Sequence, residues 1–166
     1  MRTKTKPEND LLALEKDYVD MARCLIDAGV DFLLVGGYAV LVHGYPRTTF
    51  DIDFWVRPDS ENAKRVIQAL RSFGAPMSEI SERDFDHPDI VFQIGVAPCR
   101  IDMLTKIDGV TWEEAKPGSK TIQLDNLTIP VIGLDELIQN KKASGRPKDS
   151  ADAAALERIR KESGHG

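Results

Sequence analysis

The spacing of apolar and polar residues divides the chain into helix and strand segments. Apolar residues that recur every three or four positions predict amphipathic helices, and short apolar runs bounded by Gly, Pro, Asp or Asn predict strands. The predicted helices are 11–25, 38–44, 60–73, 134–143 and 149–161. The predicted strands are 31–36, 51–56, 89–96, 99–104, 120–124 and 127–132.

The order of these segments indicates the fold class. Helices and strands alternate over the first half of the chain, several strands follow, and two helices end it. This order predicts an α/β or α+β fold in which helices flank a small mixed sheet and two C-terminal helices pack against it. With 166 residues, the chain is expected to form one domain over residues 10–161, with disordered tails at 1–9 and 162–166.

Composition narrows the possible functions without changing this fold class. The net charge of −5 argues against binding nucleic acid through bulk electrostatics, although a local basic groove stays open. No apolar run approaches the roughly 20 residues of a membrane helix, and the N-terminus lacks the apolar region of a secretory signal. We therefore expect a cytoplasmic protein without a membrane partner. Cys24 and Cys99 are expected to be reduced, buried thiols.

Two aspartates interrupt the apolar strand predicted at 51–56. Asp51 and Asp53 are separated by one residue, so a strand points both side chains to the same face, roughly 7 Å apart at the backbone. Two neighbouring carboxylates repel each other, and burial raises the cost of ionising them. A divalent cation such as Mg²⁺ or Mn²⁺ removes the conflict, because it prefers oxygen ligands. A solvated strand face would also accommodate the pair.

Two further features favour a metal and phosphate site. Gly36 and Gly37 follow the first predicted strand, where glycines let a phosphate approach the backbone closely; a tight turn alone would also explain them. Asp102 lies in the strand predicted at 99–104 and offers a third carboxylate, as two-metal phosphoryl transfer requires. Taken alone, Asp102 fits a surface position equally well.

The two C-terminal helices place charged residues on apolar stripes. Lys141 falls on the apolar stripe of one helix and Asp152 on that of the other, so each needs a partner. Either the two residues form a bridge that locks the helices together, or Lys141 reaches a nucleotide phosphate and Asp152 orients it. Arg146 and Lys148 lie in the predicted inter-helix loop, where they bind phosphate or face solvent. Asp149 is expected to cap the last helix.

The glycine pair and the aspartates belong to a longer pattern. Gly-Gly, about a dozen residues, and then Arg-x-Thr-x-Asp-Ile-Asp over 47–53 resembles the polymerase-beta-like nucleotidyltransferase superfamily. The resemblance implies a minimal nucleotidyltransferase fold that transfers a nucleoside monophosphate from an NTP to a hydroxyl, releasing pyrophosphate. It also implies that Gly36 and Gly37 hold the triphosphate. The carboxylates that it implies as ligands of two Mg²⁺ or Mn²⁺ ions are Asp51, Asp53 and Asp102.

The loop before the aspartates carries two other candidate residues. Arg47 lies where it can contact a phosphate, and Thr49 lies where it can fix the turn that delivers the carboxylates. Both belong to the motif that resembles the superfamily.

A second resemblance involves the C-terminal segment. Asp-Glu-Leu-Ile at 135–138, then Lys141, then Ala-x-Gly-Arg-x-Lys-Asp-x-x-Asp at 143–152 resembles the C-terminal motif of nucleotidyltransferases from bacterial abortive-infection toxin–antitoxin systems. The resemblance implies that Lys141, Arg146 and Asp152 belong to the nucleotide site, and that the chain is a toxin–antitoxin component.

Two other function classes stay open at this stage. One is a non-catalytic member of the same fold that acts as a binding or regulatory protein. The other is a nucleotide-sugar glycosyltransferase, which also uses Asp-x-Asp to hold a metal. The acceptor hydroxyl is left open between a protein, an RNA end and a small molecule, and a partner protein or homo-oligomer is a candidate source of acceptor-binding surface.

Two residues near the motif are expected to be structural. His43 lies in an apolar helix, which favours a packed or hydrogen-bonded core position over a catalytic one. Trp55 shares a strand face with the aspartates, where it either stacks on a base or, as we expect, packs under a helix. The absence of a Cys/His cluster argues against a zinc site.

Overall fold

The computed structural model describes residues 15–95 and 99–164. Within these ranges, the helices are α1 Lys16–Asp27, α2 Gly36–Val42, α3 Ser60–Phe73, α4 Trp112–Ala115, α5 Leu134–Ser144 and α6 Pro147–Glu162. The strands are β1 Phe32–Val35, β2 Ile52–Val56, β3 Val91–Ile94, β4 Ile101–Leu104, β5 Lys120–Leu124 and β6 Leu127–Val131. A 3₁₀ turn lies at Glu82–Asp84.

The six strands form one mixed sheet, which confirms the predicted fold class. Their order is β3-β4-β2-β1-β6-β5. The pairs β2–β4 and β1–β6 are parallel, and the other three pairs are antiparallel. β2, which contains Asp53 of the Asp-x-Asp motif, therefore has a neighbouring strand on each side, β4 and β1. A strand in the interior of a sheet is rich in apolar residues because its faces are buried.

Helix α3 illustrates how the sequence signals place the elements. The Asp59 carboxylate accepts a hydrogen bond from the backbone N–H of Asn62 and caps the start of the helix. Gly74 ends it in the left-handed conformation, with φ +94°. The apolar stripe between these ends is buried, and α3 packs against α1 and the 3₁₀ turn. Both predicted ends of this helix are confirmed.

Two short elements were not predicted. The 3₁₀ turn at Glu82–Asp84 and helix α4 are each a single turn, too short for a periodic apolar pattern. Both are held by capping boxes instead; in α4 the Thr111 side chain and the Glu114 side chain each accept a backbone N–H of the other residue.

Some predictions concern residues that the structure leaves undescribed, and one is wrong. The disordered tail at 1–9, the start of the first helix near Leu11 and the last two residues lie outside the described ranges. The expectation that both thiols are buried is wrong: Cys99 is exposed, because the segment before β4 lies at the surface, and Cys24 is only half-buried. Within the described residues, no helix has the length and apolar character needed to cross a membrane.

Candidate active site

The central strands β2 and β4 bring carboxylates side by side. The two strands run parallel, and their register places Asp53 opposite Asp102. Ile52 and Phe54, the neighbours of Asp53 in β2, are fully buried, since alternation turns them to the core face. Asp51 lies one residue before β2 and lines the same cavity as the other two carboxylates.

The proximity of these carboxylates changes the protonation of Asp53. Burial, together with the charge of Asp102 and a hydrogen bond between the two carboxyl groups, raises the pKa of Asp53 from its ordinary 3.8 to about 7. Asp51 raises this pKa further, and Lys141 lowers it. A nearby cation would favour the ionised form of Asp53, so this pair of carboxyl groups is electrostatically suited to bind one.

Arg100 already supplies a positive charge to this group, and sequence reasoning missed it. Its Nη2 lies 3.0 Å from Asp51 Oδ2, and its Nε lies 2.9 Å from Asp102 Oδ1. The guanidinium therefore bridges two of the three carboxylates. Arg100 and Asp102 are two residues apart, and in an extended chain this spacing puts both side chains on one face. That spacing is the signal that could have identified the arginine.

The three carboxylates are suitable ligands for a hard divalent cation, although two of them, Asp51 and Asp102, are paired with Arg100. Carboxylate oxygens are the ligands that Mg²⁺ and Mn²⁺ prefer, and the raised pKa of Asp53 marks a place where a cation would be stabilising. Over residues 15–95 and 99–164, however, no group of three or more His, Cys, Asp or Glu side chains has an arrangement that could hold a metal ion. Binding a metal at Asp51 and Asp102 therefore requires Arg100 to move aside.

The two glycines accommodate side chains of the site itself. Gly36 has φ +71°, and a Cβ there would lie 2.0 Å from Asp53 Oδ2. A Cβ at Gly37 would lie 2.3 Å from the hydroxyl oxygen of Thr49. Only glycine therefore allows Asp53 and Thr49 to pack directly against the turn between β1 and α2. This close packing is sufficient to explain both glycines without a bound phosphate.

A buried charge cluster links the C-terminal helices to the loop before β2. Asp152 Oδ1 lies 3.0 Å from Arg47 Nε, and Asp152 Oδ2 lies 3.2 Å from Lys141 Nζ. Lys141 Nζ also donates to Asp149 Oδ1 at 3.0 Å. Lys141, Asp149 and Asp152 are all buried. We call Arg47, Lys141, Asp149 and Asp152 the charge cluster; it contains the Lys141–Asp152 bridge that was one of the two alternatives from the sequence.

Asp149 is a central member of this cluster rather than the cap that the sequence suggested. Arg146 occupies the cap position of α6, and Asp149 lies in the first turn. Burial raises the pKa of Asp149, but hydrogen bonds from Ser144 and Lys141 outweigh it, so the net shift is downward. The Ser144 hydroxyl donates at 2.6 Å and Arg146 Nε at 2.9 Å. A carboxylate with these donors stays ionised and fixes Lys141 in place.

A cavity of about 690 Å³ collects most of the predicted site residues. All but one of the predicted site residues line this cavity. Those in the lining are Gly36, Gly37, Arg47, Thr49, Asp51, Asp53, Asp102, Lys141 and Arg146. The exception is Asp152, which is buried behind the lining and contacts two lining residues, Arg47 and Lys141. Lys148 also lines the cavity, but it lies in α6 and not in the predicted loop, because Pro147 begins that helix.

The two residues expected to be structural have structural contacts. Trp55 is buried, and its ring packs edge-to-face on Trp112 with centroids 5.1 Å apart, so it is not placed to stack on a base. His43 Nε2 lies 2.8 Å from the carbonyl oxygen of Ile132, and burial lowers the pKa of this histidine.

Comparisons with known proteins agree with this fold. The family model described as "nucleotidyl transferase of unknown function (DUF2204)" matches residues 14–165. No curated protein matches the chain.

Several solved structures resemble this one, and two of them illustrate the likeness. The lincosamide antibiotic adenylyltransferase LnuA, solved with lincomycin bound, is 15% identical with a TM-score of 0.55, over 88% of this chain and 98% of that one. An antigenic nucleotidyltransferase-like protein from Paracoccidioides brasiliensis is 15% identical with a TM-score of 0.54, over 92% of this chain and 76% of that one. At these identities the likeness establishes the fold alone.

Proposed function

The chain belongs to the DUF2204 family of nucleotidyl transferases, and from this premise we propose a metal-dependent reaction for the cavity described above. In it, a nucleoside monophosphate passes from an NTP to an acceptor hydroxyl, and pyrophosphate is released. The observation that carries the proposal is the pairing of Asp53 with Asp102 across β2 and β4, beside Asp51. This family membership also favours nucleotidyl transfer over the glycosyltransferase alternative.

The carboxylates are proposed to hold one or two Mg²⁺ ions in place of Arg100. The metal would neutralise phosphate charge and orient the acceptor hydroxyl. Asp53 and Asp102 would each exchange their mutual contact for a metal contact, which favours the ionised form of Asp53. Arg100, released from Asp51 and Asp102, would remain close enough to the cavity to meet the phosphates.

The triphosphate is proposed to lie between the glycine turn and the charge cluster. Arg47, Lys141 and Arg146 line this part of the cavity, and Asp149 and Asp152 hold the mostly buried Arg47 and Lys141 in fixed positions. Fixed cations stabilise the charge that develops on the leaving pyrophosphate without first having to reorganise.

The transfer itself follows from this placement. The acceptor oxygen forms a bond to the α-phosphorus as the bond from that phosphorus to the bridging oxygen breaks, and pyrophosphate leaves with the electron pair. The hydroxyl proton passes to a carboxylate oxygen or to water. Asp102 is our candidate for this proton acceptor, because it lies on β4 at the side of the cavity away from the charge cluster.

A thermal-shift titration tests the proposal without knowledge of the acceptor. Each NTP is added to the wild type with and without Mg²⁺, and to Asp53→Asn, Asp102→Asn and the exposed control Glu79→Gln. An NTP at about a hundred times its dissociation constant stabilises a protein by about 2.7 kcal/mol. We expect that shift in the wild type and the control only with Mg²⁺, and its loss in both aspartate variants. An equal shift in all four proteins would contradict the proposal.

The resemblance of the 135–152 segment to abortive-infection nucleotidyltransferases supports a narrower proposal, that the chain acts in a toxin–antitoxin pair. Induced expression of the wild type should then arrest bacterial growth, whereas Asp53→Asn should not. Normal growth with the wild type in the absence of any antitoxin would contradict this role.

A further inference from the structure

Two large apolar side chains are mostly exposed at the rim of the active-site cavity. Among the described residues, Phe50 and Val91 are the large apolar side chains with the greatest exposure, at 58% and 56%, and both line that cavity. Single exposed apolar residues are common on protein surfaces. Two of them that converge on one catalytic cavity suggest a binding surface.

The sheet places these residues beside Asp102. Val91 of β3 pairs with Leu104 of β4, and Gln93 pairs with Asp102. Alternation along β4 puts Leu104 on the same face as Asp102, and both line the cavity. We call Phe50, Val91 and Leu104 the apolar lip.

The backbone of Phe50 is fixed, although its ring is exposed. The hydroxyl of Tyr18, which is buried in α1, donates a hydrogen bond to the Phe50 carbonyl oxygen. Phe50 also directly precedes Asp51, so its position is tied to that of the carboxylate. Because the backbone of Phe50 is already held, ligand binding would cost only the conformational entropy of its side chain.

The cavity is polarised from the charge cluster to the apolar lip. At the β1 end, Arg47 Nη2 would lie only 3.1 Å from a Cβ built on Gly37. The edge strand β3 is three strand spacings away from β1, roughly 14 Å. Arg47 on one side, and Val91 and Leu104 of the lip on the other, thus lie on opposite sides of strand β2, and Phe50 directly precedes Asp51 at the start of that strand.

The charges near the apolar lip do not suit an anionic acceptor. Arg100 is paired with Asp51 and Asp102, and Lys106 Nζ lies 3.7 Å from Asp89. In the proposed function Arg100 moves to the phosphates of the NTP, which leaves Lys106 as the cation of the cavity lining beside Leu104. A nucleic-acid end requires several cations along its phosphates. A cavity of about 690 Å³ also lies within the range for small-molecule sites.

We propose that the apolar lip is the acceptor subsite and that the acceptor is a small, non-anionic molecule with an aromatic or alicyclic face beside its hydroxyl. This inference rests on the proposed function, which places the reacting hydroxyl near Asp102. The apolar face would cover Phe50, Val91 and Leu104 while the hydroxyl points to the carboxylates. An RNA acceptor is disfavoured by the same charges.

Nuclear magnetic resonance titration of the full chain tests the subsite with defined probes. The probe is 2-phenylethanol, and glycerol is the control that has hydroxyls without an apolar face. We expect 2-phenylethanol to shift the resonances of Phe50, Val91 and Leu104 in a saturable manner, and glycerol to leave them unchanged. Equal responses to the two probes, or shifts confined to other residues, would overturn the proposal.

Substitutions at Phe50 sharpen the test, since an exposed ring can be removed without disturbing the core. Phe50→Ser should weaken 2-phenylethanol binding about tenfold, whereas Phe50→Tyr should retain it, because the tyrosine keeps the ring. An unchanged amide spectrum elsewhere verifies folding. Equal binding by Phe50→Ser and wild type would overturn the assignment, as would saturable binding of a six-nucleotide single-stranded RNA at the apolar lip.

A parallel titration with NTP and Mg²⁺ separates this proposal from the previous one. We expect those shifts at Gly36, Gly37 and Lys141, with the same affinity in Phe50→Ser. If the NTP fails to bind while 2-phenylethanol binds at the lip, the proposed function fails and the apolar subsite stands without its reaction. If Phe50→Ser weakens NTP binding tenfold, Phe50 stacks on the nucleobase and the acceptor assignment is overturned.

Discussion

Asp53 carries the clearest physical sign of a cation site at the scale of a single residue. It is mostly buried, opposite Asp102 and in contact with the glycine turn, and its pKa is raised to about 7. A raised carboxyl pKa in the folded state favours the protonated form. Metal binding requires the ionised form, so it should release a proton and strengthen as the pH rises through 7.

This pKa leads to a prediction about stability in the absence of metal. Because folding raises the Asp53 pKa from 3.8 to about 7, its protonation stabilises the fold fully below pH 4, and that stabilisation is lost as the pH rises to about 7. Relative to Asp53→Asn, the wild type should therefore lose unfolding free energy from pH 4 to 7, by at most about 1.4 kcal/mol per pH unit. Urea denaturation of both proteins in EDTA at several pH values measures this difference. A difference that stays constant with pH would contradict the raised pKa.

The roles of individual residues were only partly accessible from sequence. The Asp-x-Asp spacing was sufficient to place Asp51 and Asp53 at one cavity, because strand alternation is a local rule. The adjacency of Asp102 depends on β4 lying next to β2, and nothing local in the sequence specifies that strand order. Arg100 was missed because its importance appears only when Asp51 and Asp102 are brought together.

At the scale of elements, the charge cluster joins α5 and α6 to the loop that delivers the carboxylates. Asp149 and Asp152 come from α6, Lys141 from α5, and Arg47 from the loop before β2. Buried ion pairs of this kind add little net stability, but removing one partner leaves the others without compensation. Removal of one of these charged side chains should therefore shift α5, α6 and the loop relative to one another.

Two adjacent lysines of α5 provide a matched test. The Lys141 side chain is 7% exposed and bridges Asp149 and Asp152, whereas the Lys142 side chain is 57% exposed and bridges Glu157 at 2.7 Å. Lys141→Met should lower the unfolding free energy by about 3–5 kcal/mol because it removes the buried cation that both carboxylates share. Lys142→Met should cost less than about 1 kcal/mol. Urea denaturation measures both values, and equal losses would contradict the described cluster.

The element pattern was the part of the fold most accessible from sequence. The helices and strands long enough to show a period were all predicted. The single-turn elements were missed because capping boxes, not apolar periodicity, stabilise them. Asp149 was assigned as a cap because the sequence does not reveal that α6 begins at Pro147.

At the scale of the whole molecule, one cavity has three chemically different regions in a row. Arg47 and the glycine turn lie at the β1 side, the carboxylates lie at β2 and β4, and Val91 of the apolar lip lies on the edge strand β3. This order suits the proposed transfer, in which the attacking and leaving oxygens lie in line with the reacting phosphorus. Because the net charge is −5, the proposed phosphate site depends on the local cations of the cavity and not on the charge of the whole molecule.

The most direct test of this account is a crystal structure with Mn²⁺ and a nonhydrolysable NTP analogue, in which anomalous scattering locates the metal. The account predicts Mn²⁺ bound to Asp53 and at least one of Asp51 and Asp102, with Arg100 displaced and the triphosphate beside Lys141. A nucleotide bound elsewhere, or one bound in this cavity while Arg100 still bridges Asp51 and Asp102, would contradict it.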